Sequence, residues 1–198
     1  MNITDAQVVN KVNKYKGFFA IDEYTVKHKL FNGQVSKAFT RELFERGNAS
    51  AVLLYDPKLD SVVLIEQFRI GALVSGKNPW LIEVVAGINE DNELPEDVVR
   101  RECFEESGLE LKDLKFITDF FVSPGGTSER ISLFIGIVDS SNATGNFGLA
   151  SENEDIMVHR YKFEDALDMV DNGTICNATT IIALQYLALH KSLFGKES

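Results

Sequence analysis

The sequence has little of what secreted, membrane-spanning or thiolate-metal proteins require. Its 198 residues include only two cysteines, Cys103 and Cys176, and these are too far apart for a short-spaced zinc or redox motif. No stretch approaches the roughly 18 consecutive apolar residues of a membrane span. Residues 1–5 show neither the basic segment nor the apolar stretch of a secretory signal. We therefore expect a cytoplasmic protein that does not act at a membrane.

Positive charge is also scarce. The chain carries 20 Lys and Arg residues against 30 Asp and Glu residues, which gives a net charge of -10. Such a surface repels nucleic acid and anionic membranes, so neither is an expected partner. It also repels phosphorylated small molecules unless a cation or a local group of arginines reverses the field.

The composition is that of a globular protein. Apolar residues make up 44% of the chain and charged residues 25%, as in soluble domains. The length fits one domain of ordinary size with room for a small additional lobe. The sequence contains no repeat, no low-complexity tract and no Pro/Gly/Ser-rich linker.

The N-terminal part of the sequence predicts an antiparallel β lobe over residues 1–46. Residues 24–30 show the period-two alternation of a half-buried strand. The pair Asn32-Gly33 favours a type I′ hairpin turn, in which both central positions need positive φ, and residues 34–44 form the return strand. Two strands bury too little apolar surface to persist alone in water, so we expect this lobe to dock on another surface.

The main domain, residues 47–198, is predicted to have an α/β fold: a mixed sheet covered by helices on both faces. Its helix over residues 95–107 has proline in the first turn and Gly108 at the C-terminal cap. Residues 71–79 are predicted to be a loop. The predicted strands cover residues 51–55, 62–65, 80–86, 114–122, 131–138 and 156–163, and two further helices cover residues 164–171 and 179–193.

The helix over residues 95–107 carries three clustered glutamates. Glu102, Glu105 and Glu106 fall within about a 100° sector of the helix, near the C-terminal end where the helix dipole disfavours anions. Val99 and Cys103 lie beside them, so the acidic sector borders the buried side. A solvated acidic face is one interpretation. A hard divalent cation such as Mg²⁺, which takes oxygen ligands, is the other.

The residues around these glutamates resemble the motif of the Nudix family. The spacing is Gly-x5-Glu-x7-Arg-Glu-x2-Glu-Glu-x-Gly, carried by Gly87, Glu93, Arg101, Glu102, Glu105, Glu106 and Gly108. The resemblance implies an α/β/α sandwich around a mixed sheet. It also implies Mg²⁺- or Mn²⁺-dependent hydrolysis of a nucleoside diphosphate linked to another group. In the family, the residues corresponding to Glu93 and Arg101 brace the loop against the helix. Cys103 departs from the usual larger aliphatic residue or alanine.

The similarity extends along nearly the whole chain to the branch of the family that hydrolyses ADP-ribose to AMP and ribose 5-phosphate. It is strongest in four segments, residues 30–33, 44–47, 63–67 and 123–130. This branch implies a homodimer in which the lobe of residues 1–46 docks on the partner subunit. Arg41 and Glu42 would then enter the substrate site of that partner.

The resemblance also implies roles for individual residues. The metal ligands would be the carboxylates of Glu102, Glu106 and Glu154 and the carbonyl of Ala86, with Glu105 close enough to share or support them. Glu152, in the acidic segment of residues 148–156, would be the general base that deprotonates the attacking water.

The implied substrate contacts are spread over the chain. Phe18 would stack on adenine with Phe19 adjacent, and Arg69 would neutralise the diphosphate. The ribose end would be lined by Ile88, Ser123, Pro124, Gly125 and Glu129.

Two alternative functions remain open from the sequence. Another nucleoside diphosphate sugar, GDP-mannose above all, is the closer alternative, although the full string of residues 123–130 favours ADP-ribose. A non-catalytic Nudix-like sensor is disfavoured because every acidic position of the motif is intact. The three histidines, His28, His159 and His190, are isolated and read as structural or surface residues. A nucleophilic role for Cys103 is disfavoured because neighbouring carboxylates raise the pKa of a thiol.

Overall fold

The computed structural model describes residues 1–149, 151 and 153–195. The chain forms two compact units, which are taken one at a time below. The first comprises Met1–Asn48 and Phe121–Arg130, and the second comprises Ala49–Phe120 and the described residues from Ile131 onward. The exchange of the lobe of residues 1–46 between subunits stays a prediction.

The first unit contains a three-stranded antiparallel sheet in the order β1-β2-β3. Its strands are β1 (Ala6–Lys16), β2 (Ala20–His28) and β3 (Phe39–Glu45). A short 3₁₀ turn, Ile3–Asp5, precedes β1 and is capped by the side chain of Asn2.

The sequence did not predict β1, because all 11 of its side chains are exposed and give no clear alternation. The strand is held by pairing along the length of β2, with two register shifts. Ion pairs reinforce the pairing: Lys11 Nζ lies 2.8 Å from Asp22, and Lys14 Nζ lies 3.1 Å from Glu23. The lobe therefore has one more strand than predicted.

The predicted type I′ turn is wrong. Gly33 has a φ of 85°, but Asn32 is not among the residues of positive φ. The Gly33 N–H donates to the Leu30 carbonyl and the Leu30 N–H to the Gln34 carbonyl, which fits a three-residue loop with glycine in the last position. The Asn32 side chain accepts from the Gln34 N–H at 3.0 Å. The return strand consequently begins later than predicted, at Phe39.

The second unit contains an eight-stranded mixed sheet in the order β10-β11-β5-β4-β9-β8, with β6 paired to β5 and β7 paired to β4. Strands β4 and β9 are parallel, whereas β4–β5 and β5–β11 are antiparallel. The strands are β4 (Ala49–Asp56), β5 (Ser61–Phe68), β6 (Trp80–Glu83), β7 (Val85–Ile88), β8 (Asp113–Phe121), β9 (Arg130–Ile137), β10 (Gly145–Phe147) and β11 (Ile156–Lys162).

Two details of this sheet differ from the prediction. The single strand expected over residues 80–86 is split at Val84, whose N–H donates to Thr180 Oγ1 at 2.9 Å. The three-residue strand β10 was not predicted, because it is too short to show a pattern.

In the described residues, four α-helices accompany the sheet: α1 (Ile70–Val74), α2 (Pro95–Ser107), α3 (Phe163–Asp171) and α4 (Ala178–His190). The prediction for α2 is confirmed, with Pro95 in the first turn and Gly108 left-handed at a φ of 67°. Helix α1 begins one residue before the predicted loop and otherwise lies within it, and none of its residues is buried, so it leaves no apolar periodicity in the sequence.

The sheet buries a separate apolar layer on each face. On β4, Leu53 belongs to the layer that also contains residues of α3 and α4, such as Ala166 and Leu184. Leu54 belongs to the other layer, which contains Val99 and Cys103 of α2. Helices therefore cover both faces, and the predicted α/β sandwich is confirmed. Among the described residues, no helix is long and apolar enough to cross a membrane.

Candidate active site

Helix α2 places its acidic sector against strand β7. Val99 and Cys103 are fully buried in the second apolar layer, which fixes the rotation of the helix. Glu106 is consequently buried as well, at 3% exposure. Its Oε2 accepts a hydrogen bond from the Ala86 N–H at 3.2 Å. The helix and the β7 backbone thus meet at this carboxylate.

Glu106 is a buried carboxyl group close to other acidic side chains. Burial raises its pKa to about 9, with further contributions from the charges of Glu102 and Glu154. The Ala86 N–H and the charge of Arg69 oppose that shift. Burial also raises the pKa of Glu102, and the charge of Glu154 adds to it. The structure therefore brings these three glutamates within electrostatic range of one another.

Gly87 explains how Glu102 approaches the β7 backbone. A Cβ atom at residue 87 would lie only 1.8 Å from Glu102 Oε1, whereas real Cβ contacts are essentially never below about 3 Å. The Glu102 carboxylate therefore occupies the space that any larger residue would need. The glycine of the motif is required for close approach and not for unusual backbone dihedral angles.

Arg101 on α2 contacts three carboxylates, one of which lies in the loop before the helix. Its Nε and Nη2 donate to the two oxygens of Glu93 at 3.2 and 3.3 Å, and its Nη1 donates to Glu102 at 2.8 Å and Glu105 at 3.1 Å. Arg101 lowers the pKa of Glu93 through this hydrogen bonding. The contacts correspond to the brace that the family pattern implies, and they hold Glu102 through Oε1, the same oxygen that lies nearest Gly87.

The acidic segment after β10 also reaches α2. The Gly148 N–H donates to the Glu105 carbonyl at 3.4 Å. Glu154 Oε2 accepts from the Leu149 N–H at 3.3 Å, and the Glu154 N–H donates to the Leu149 carbonyl at 3.2 Å. Glu152, the predicted general base, lies outside the described residues.

Arg69 lies just after β5 and is held by an acidic residue that the sequence reasoning missed. Its Nε and Nη2 both donate to Glu83 Oε2, at 3.0 and 2.8 Å. Glu83 is the one charged residue in an otherwise apolar segment, Trp80–Ala86. That isolation was the available signal, but its partner could not be read from the sequence.

The donors around Glu106 fit a hard divalent cation. Carboxylates and a nearby backbone carbonyl are the oxygen ligands that Mg²⁺ takes. A cation would favour the ionised form of Glu106, whose pKa is raised first by burial and then by the charges of Glu102 and Glu154. Among residues 1–149, 151 and 153–195, however, no three acidic, histidine or cysteine side chains form a ready metal site. The ligand set of Ala86, Glu102, Glu106 and Glu154 stays a prediction.

The first unit holds most of the predicted substrate-binding residues, beginning with an aromatic group. Phe18 is 88% exposed and makes an edge contact with Phe19 at 4.7 Å between ring centroids. Phe19 in turn contacts Phe44 at 5.2 Å and lies under the Arg46 guanidinium at 5.3 Å. Phe18 therefore presents an exposed ring that is packed against Phe19.

The other predicted residues of this unit lie on β3 and on the turn of residues 123–130. Arg41 and Glu42 are exposed on β3, and Arg41 lies over the Phe39 ring at 4.7 Å. Ser123, Pro124 and Gly125 begin a tight turn in which the Gly126 and Thr127 N–H groups donate to the Ser123 carbonyl at 2.9 and 3.0 Å. Glu129 is buried, and its Oε2 lies 3.5 Å from Arg46 Nη1.

The remaining predicted residue, Ile88, ends β7 and is 39% exposed.

The two cysteines play no visible part in the site. Cys103 is buried, and burial raises the pKa of its thiol to about 11. Cys176 is exposed. A thiol with such a pKa is a poor nucleophile at neutral pH.

The helix, its acidic sector and the close glycine define the class of protein. The chain matches the NUDIX domain family over residues 37–178, and it belongs to the Nudix family. The predicted family is thereby confirmed.

Within this family, the chain is similar to two kinds of pyrophosphatase. The chain is 49% identical over 193 residues to the ADP-ribose pyrophosphatase of Escherichia coli (strain K12), covering 98% of this chain and 92% of that protein. It is 48% identical to the ADP-ribose pyrophosphatase of Haemophilus influenzae, covering 94% and 87% of the two chains. The GDP-mannose pyrophosphatase of Shigella flexneri serotype 5b is 38% identical, covering 87% and 89%.

A solved structure supports the fold. The chain superposes on a crystal structure titled ADP compounds hydrolase with a TM-score of 0.73, over 100% of both chains. The identity between the two sequences is 16%, so this likeness shows the fold alone.

Proposed function

We propose that this Nudix hydrolase cleaves the pyrophosphate bond of ADP-ribose with water, releasing AMP and ribose 5-phosphate. The observation that carries the proposal is 49% identity to an ADP-ribose pyrophosphatase along 98% of the chain. The GDP-mannose pyrophosphatases are more distant, at 38% identity. The intact acidic sector of α2 is what a hydrolase requires and what a non-catalytic sensor would not need.

The proposed cofactor is Mg²⁺, with Mn²⁺ as a substitute, held by Glu102, Glu106, Glu154 and the Ala86 carbonyl. When bound, such an ion neutralises the diphosphate and lowers the pKa of a coordinated water. The protein would supply the geometry: Gly87 admits the Glu102 carboxylate, and Arg101 fixes its direction. Glu106 must lose its proton for the ion to bind, because a metal ligand is deprotonated.

The protein offers few positively charged side chains to an anionic substrate, as expected for a chain of net charge -10. Arg69 is the proposed partner of the diphosphate in the second unit. Its charge acts on Glu106, so it lies close enough to the carboxylate sector to serve a phosphate there. A bound anion would otherwise be repelled by the glutamates.

The general base is proposed to be Glu152, with Glu105 as the alternative. The base accepts a proton from the water that attacks phosphorus, so it needs an ionised carboxylate within reach of that water. Glu105 already accepts from Arg101 at 3.1 Å. That hydrogen bond occupies one Glu105 oxygen and ties the side chain to the Arg101 brace, so Glu105 is less free to reach a water, which favours Glu152.

The substrate contacts are proposed to continue in the first unit. Phe18 would stack on adenine because its ring is largely exposed and makes an edge contact with Phe19 that leaves a ring face available. Arg41 and Glu42 would act in the site of a partner subunit within a homodimer. The protein is proposed to work in the cytoplasm, in keeping with two free cysteines and no disulfide between them.

Product analysis tests this function. Incubation with Mg²⁺ and a panel of ADP-ribose, GDP-mannose and other nucleoside diphosphate sugars should release AMP and ribose 5-phosphate from ADP-ribose with the highest kcat/KM. A higher kcat/KM for GDP-mannose would overturn the assignment in favour of the second substrate. Absence of hydrolysis of every compound with Mg²⁺ and with Mn²⁺ would instead favour a sensor.

A further inference from the structure

Glu83 is anchored more firmly than an ordinary surface carboxylate. Its Oε2 accepts two hydrogen bonds from Arg69, at 3.0 and 2.8 Å, and a third from Gln67 Nε2 at 3.4 Å. The side chain of Glu83 is 13% exposed, whereas that of Arg69 is 45% exposed. The acid therefore forms the fixed end of the pair, and the arginine forms its open end.

The pair lies on the same face of the sheet as helix α2. Glu83 pairs directly with Ile65 across β5 and β6, and directly paired residues share a face. Ile65 belongs to the apolar layer that contains Val99 of α2. Gln67 lies two residues further along β5, so it points to that same face. Glu83 consequently has access to Arg69 on the side where Glu106 lies.

The backbone of Arg69 is fixed as well. Its N–H donates to the Pro79 carbonyl at 2.7 Å, which ties the end of β5 to the start of β6. Of the five N–H donors of a guanidinium, two are used by Glu83. In the part of the chain that the structure describes, the guanidinium makes no other side-chain hydrogen bond, so three donors can serve an anion from a group whose orientation is already set.

We propose that Glu83 is a positioning residue that holds the Arg69 guanidinium in place for the substrate diphosphate. This inference rests on the proposed function of the site. An unheld arginine loses rotamer freedom when it binds an anion. Glu83 removes that cost before the substrate arrives. Glu83 does not itself touch the reacting atoms, and it acts through Arg69.

The variant that tests this role is Glu83→Gln, which retains an acceptor oxygen and loses the charge. We expect kcat/KM for ADP-ribose to fall by roughly 2- to 13-fold, which corresponds to the cost of ordering one flexible side chain when the substrate binds. Binding of a non-hydrolysable analogue, α,β-methylene ADP-ribose, should weaken by a similar factor in calorimetry. Arg69→Lys should show a comparable loss, because an ammonium cannot make the two-donor contact.

The matched control is Glu66→Gln on the neighbouring strand β5. Glu66 Oε2 lies 2.8 Å from His159 Nε2, and Glu66 is next to Gln67, so it points to the opposite face. Losing that contact should leave kcat/KM within about twofold, since both side chains are partly exposed and such pairs contribute little. Melting temperatures of both variants show whether a loss of activity comes from unfolding.

A double-mutant cycle separates positioning from a merely structural tie. If Glu83 acts through Arg69, Glu83→Gln should lower kcat/KM little or not at all in an Arg69→Gln background. Additive losses, or a Glu83→Gln variant with unchanged or increased kcat/KM and analogue affinity, would overturn the proposal. If the wild-type protein prefers another nucleoside diphosphate sugar, the same cycle run on that substrate still tests Glu83. Failure of the proposed function and failure of this inference are therefore distinguishable.

Discussion

The carboxylate of Glu102 rests directly on the backbone of Gly87, so that a Cβ atom there would lie 1.8 Å from Glu102 Oε1. This contact joins β7 to α2 at the point where the proposed metal ligands gather. It also joins the first residue of the Nudix motif to one of its last glutamates. The motif therefore specifies residues on β7 and on α2 that pack against each other.

Gly87→Ala should displace Glu102 and remove most activity. The added methyl group cannot coexist with the carboxylate in its present place, so Glu102 must turn away from β7. We expect kcat/KM to fall by at least about tenfold while the melting temperature changes little, because Glu102 is not part of the apolar layers. Gly71→Ala is the matched control, since its Cβ would meet nothing within 4 Å. Equal activity in the two variants would contradict the close-packing explanation.

Glu106→Gln should abolish most turnover and leave the fold intact. The amide is a much weaker metal ligand than a carboxylate. It also cannot ionise, so at pH 8 the variant no longer has to keep residue 106 protonated in order to fold without metal. The metal-free melting temperature at pH 8 should therefore hold or rise. Mg²⁺ should stabilise the wild type more than the variant. Near-normal activity of the variant at saturating Mg²⁺ would show that Glu106 is not a ligand.

The metal-free protein should lose stability as pH rises. The pKa of Glu106 is raised from 4.5 to about 9 in the folded state, so between these values the folded chain binds more protons than the unfolded chain, and stability falls with increasing pH. The melting temperature in EDTA should drop between pH 5 and pH 9 by more in the wild type than in Glu106→Gln. A drop of about 2–4 °C corresponds to roughly 1 kcal/mol for a chain of this size. Identical pH profiles would contradict the burial of an ionisable Glu106.

Glu152→Gln should differ in kind from the metal-ligand variants. A lost general base lowers kcat by about 10²–10⁴-fold while leaving metal affinity nearly unchanged. Glu105→Gln is the comparison, because Glu105 is the alternative base. If Glu152→Gln recovers its kcat in excess Mg²⁺, Glu152 is a ligand and the base lies elsewhere.

A shared active site should be detectable by mixing inactive subunits. Arg41→Ala and Glu106→Gln dimers, once exchanged, should form mixed dimers in which one site carries both intact residues. Random exchange then restores about a quarter of wild-type activity in a two-fold dimer, provided that each variant alone is severely impaired. Light scattering should show a homodimer throughout.

The control for that experiment mixes Glu106→Gln with Glu102→Gln. Both residues belong to the same unit of one chain, so every mixed site carries one defect and no activity should return. Recovery in this control would indicate reversion or contamination. No recovery with Arg41→Ala, despite proven exchange, would place Arg41 in the site of its own chain or outside any site. Point variants are preferable to deleting residues 1–46, because the Phe44 N–H donates to the Gly126 carbonyl in the same unit.

Local signals in the sequence predicted the parts of the fold that local chemistry determines. Helix α2 was predictable because Pro95 and Gly108 mark its ends, and β4 because its apolar run is long. Strand β1 was not, since its exposed side chains show no pattern and only the pairing with β2 orders it. The type I′ turn failed because an Asn-Gly pair also suits a three-residue loop, and loop length is set by the strands on either side.

The site shows the same division. The motif predicted the acidic sector of α2 and the Arg101 brace, because these residues are close in sequence. The burial of Glu106 depends on how α2 packs on the sheet, and no local pattern encodes it. The contact between Arg69 and Glu83 joins the end of β5 to β6. A short helix and a loop separate these two residues in the sequence. Such a pair becomes visible only when the strands are placed side by side.

The parallel pairing of β4 with β9 has a consequence for synthesis on the ribosome. Ala49 pairs with Ile131, a partner translated 82 residues later (131 minus 49). All eight residues of β4 are buried in the finished protein. During synthesis, however, one edge of this apolar strand stays unpaired until β9 has been translated. Distant pairings of this kind form late and leave strands open to wrong partners. The nascent chain thus passes through a long interval in which its central strand needs shielding from other chains.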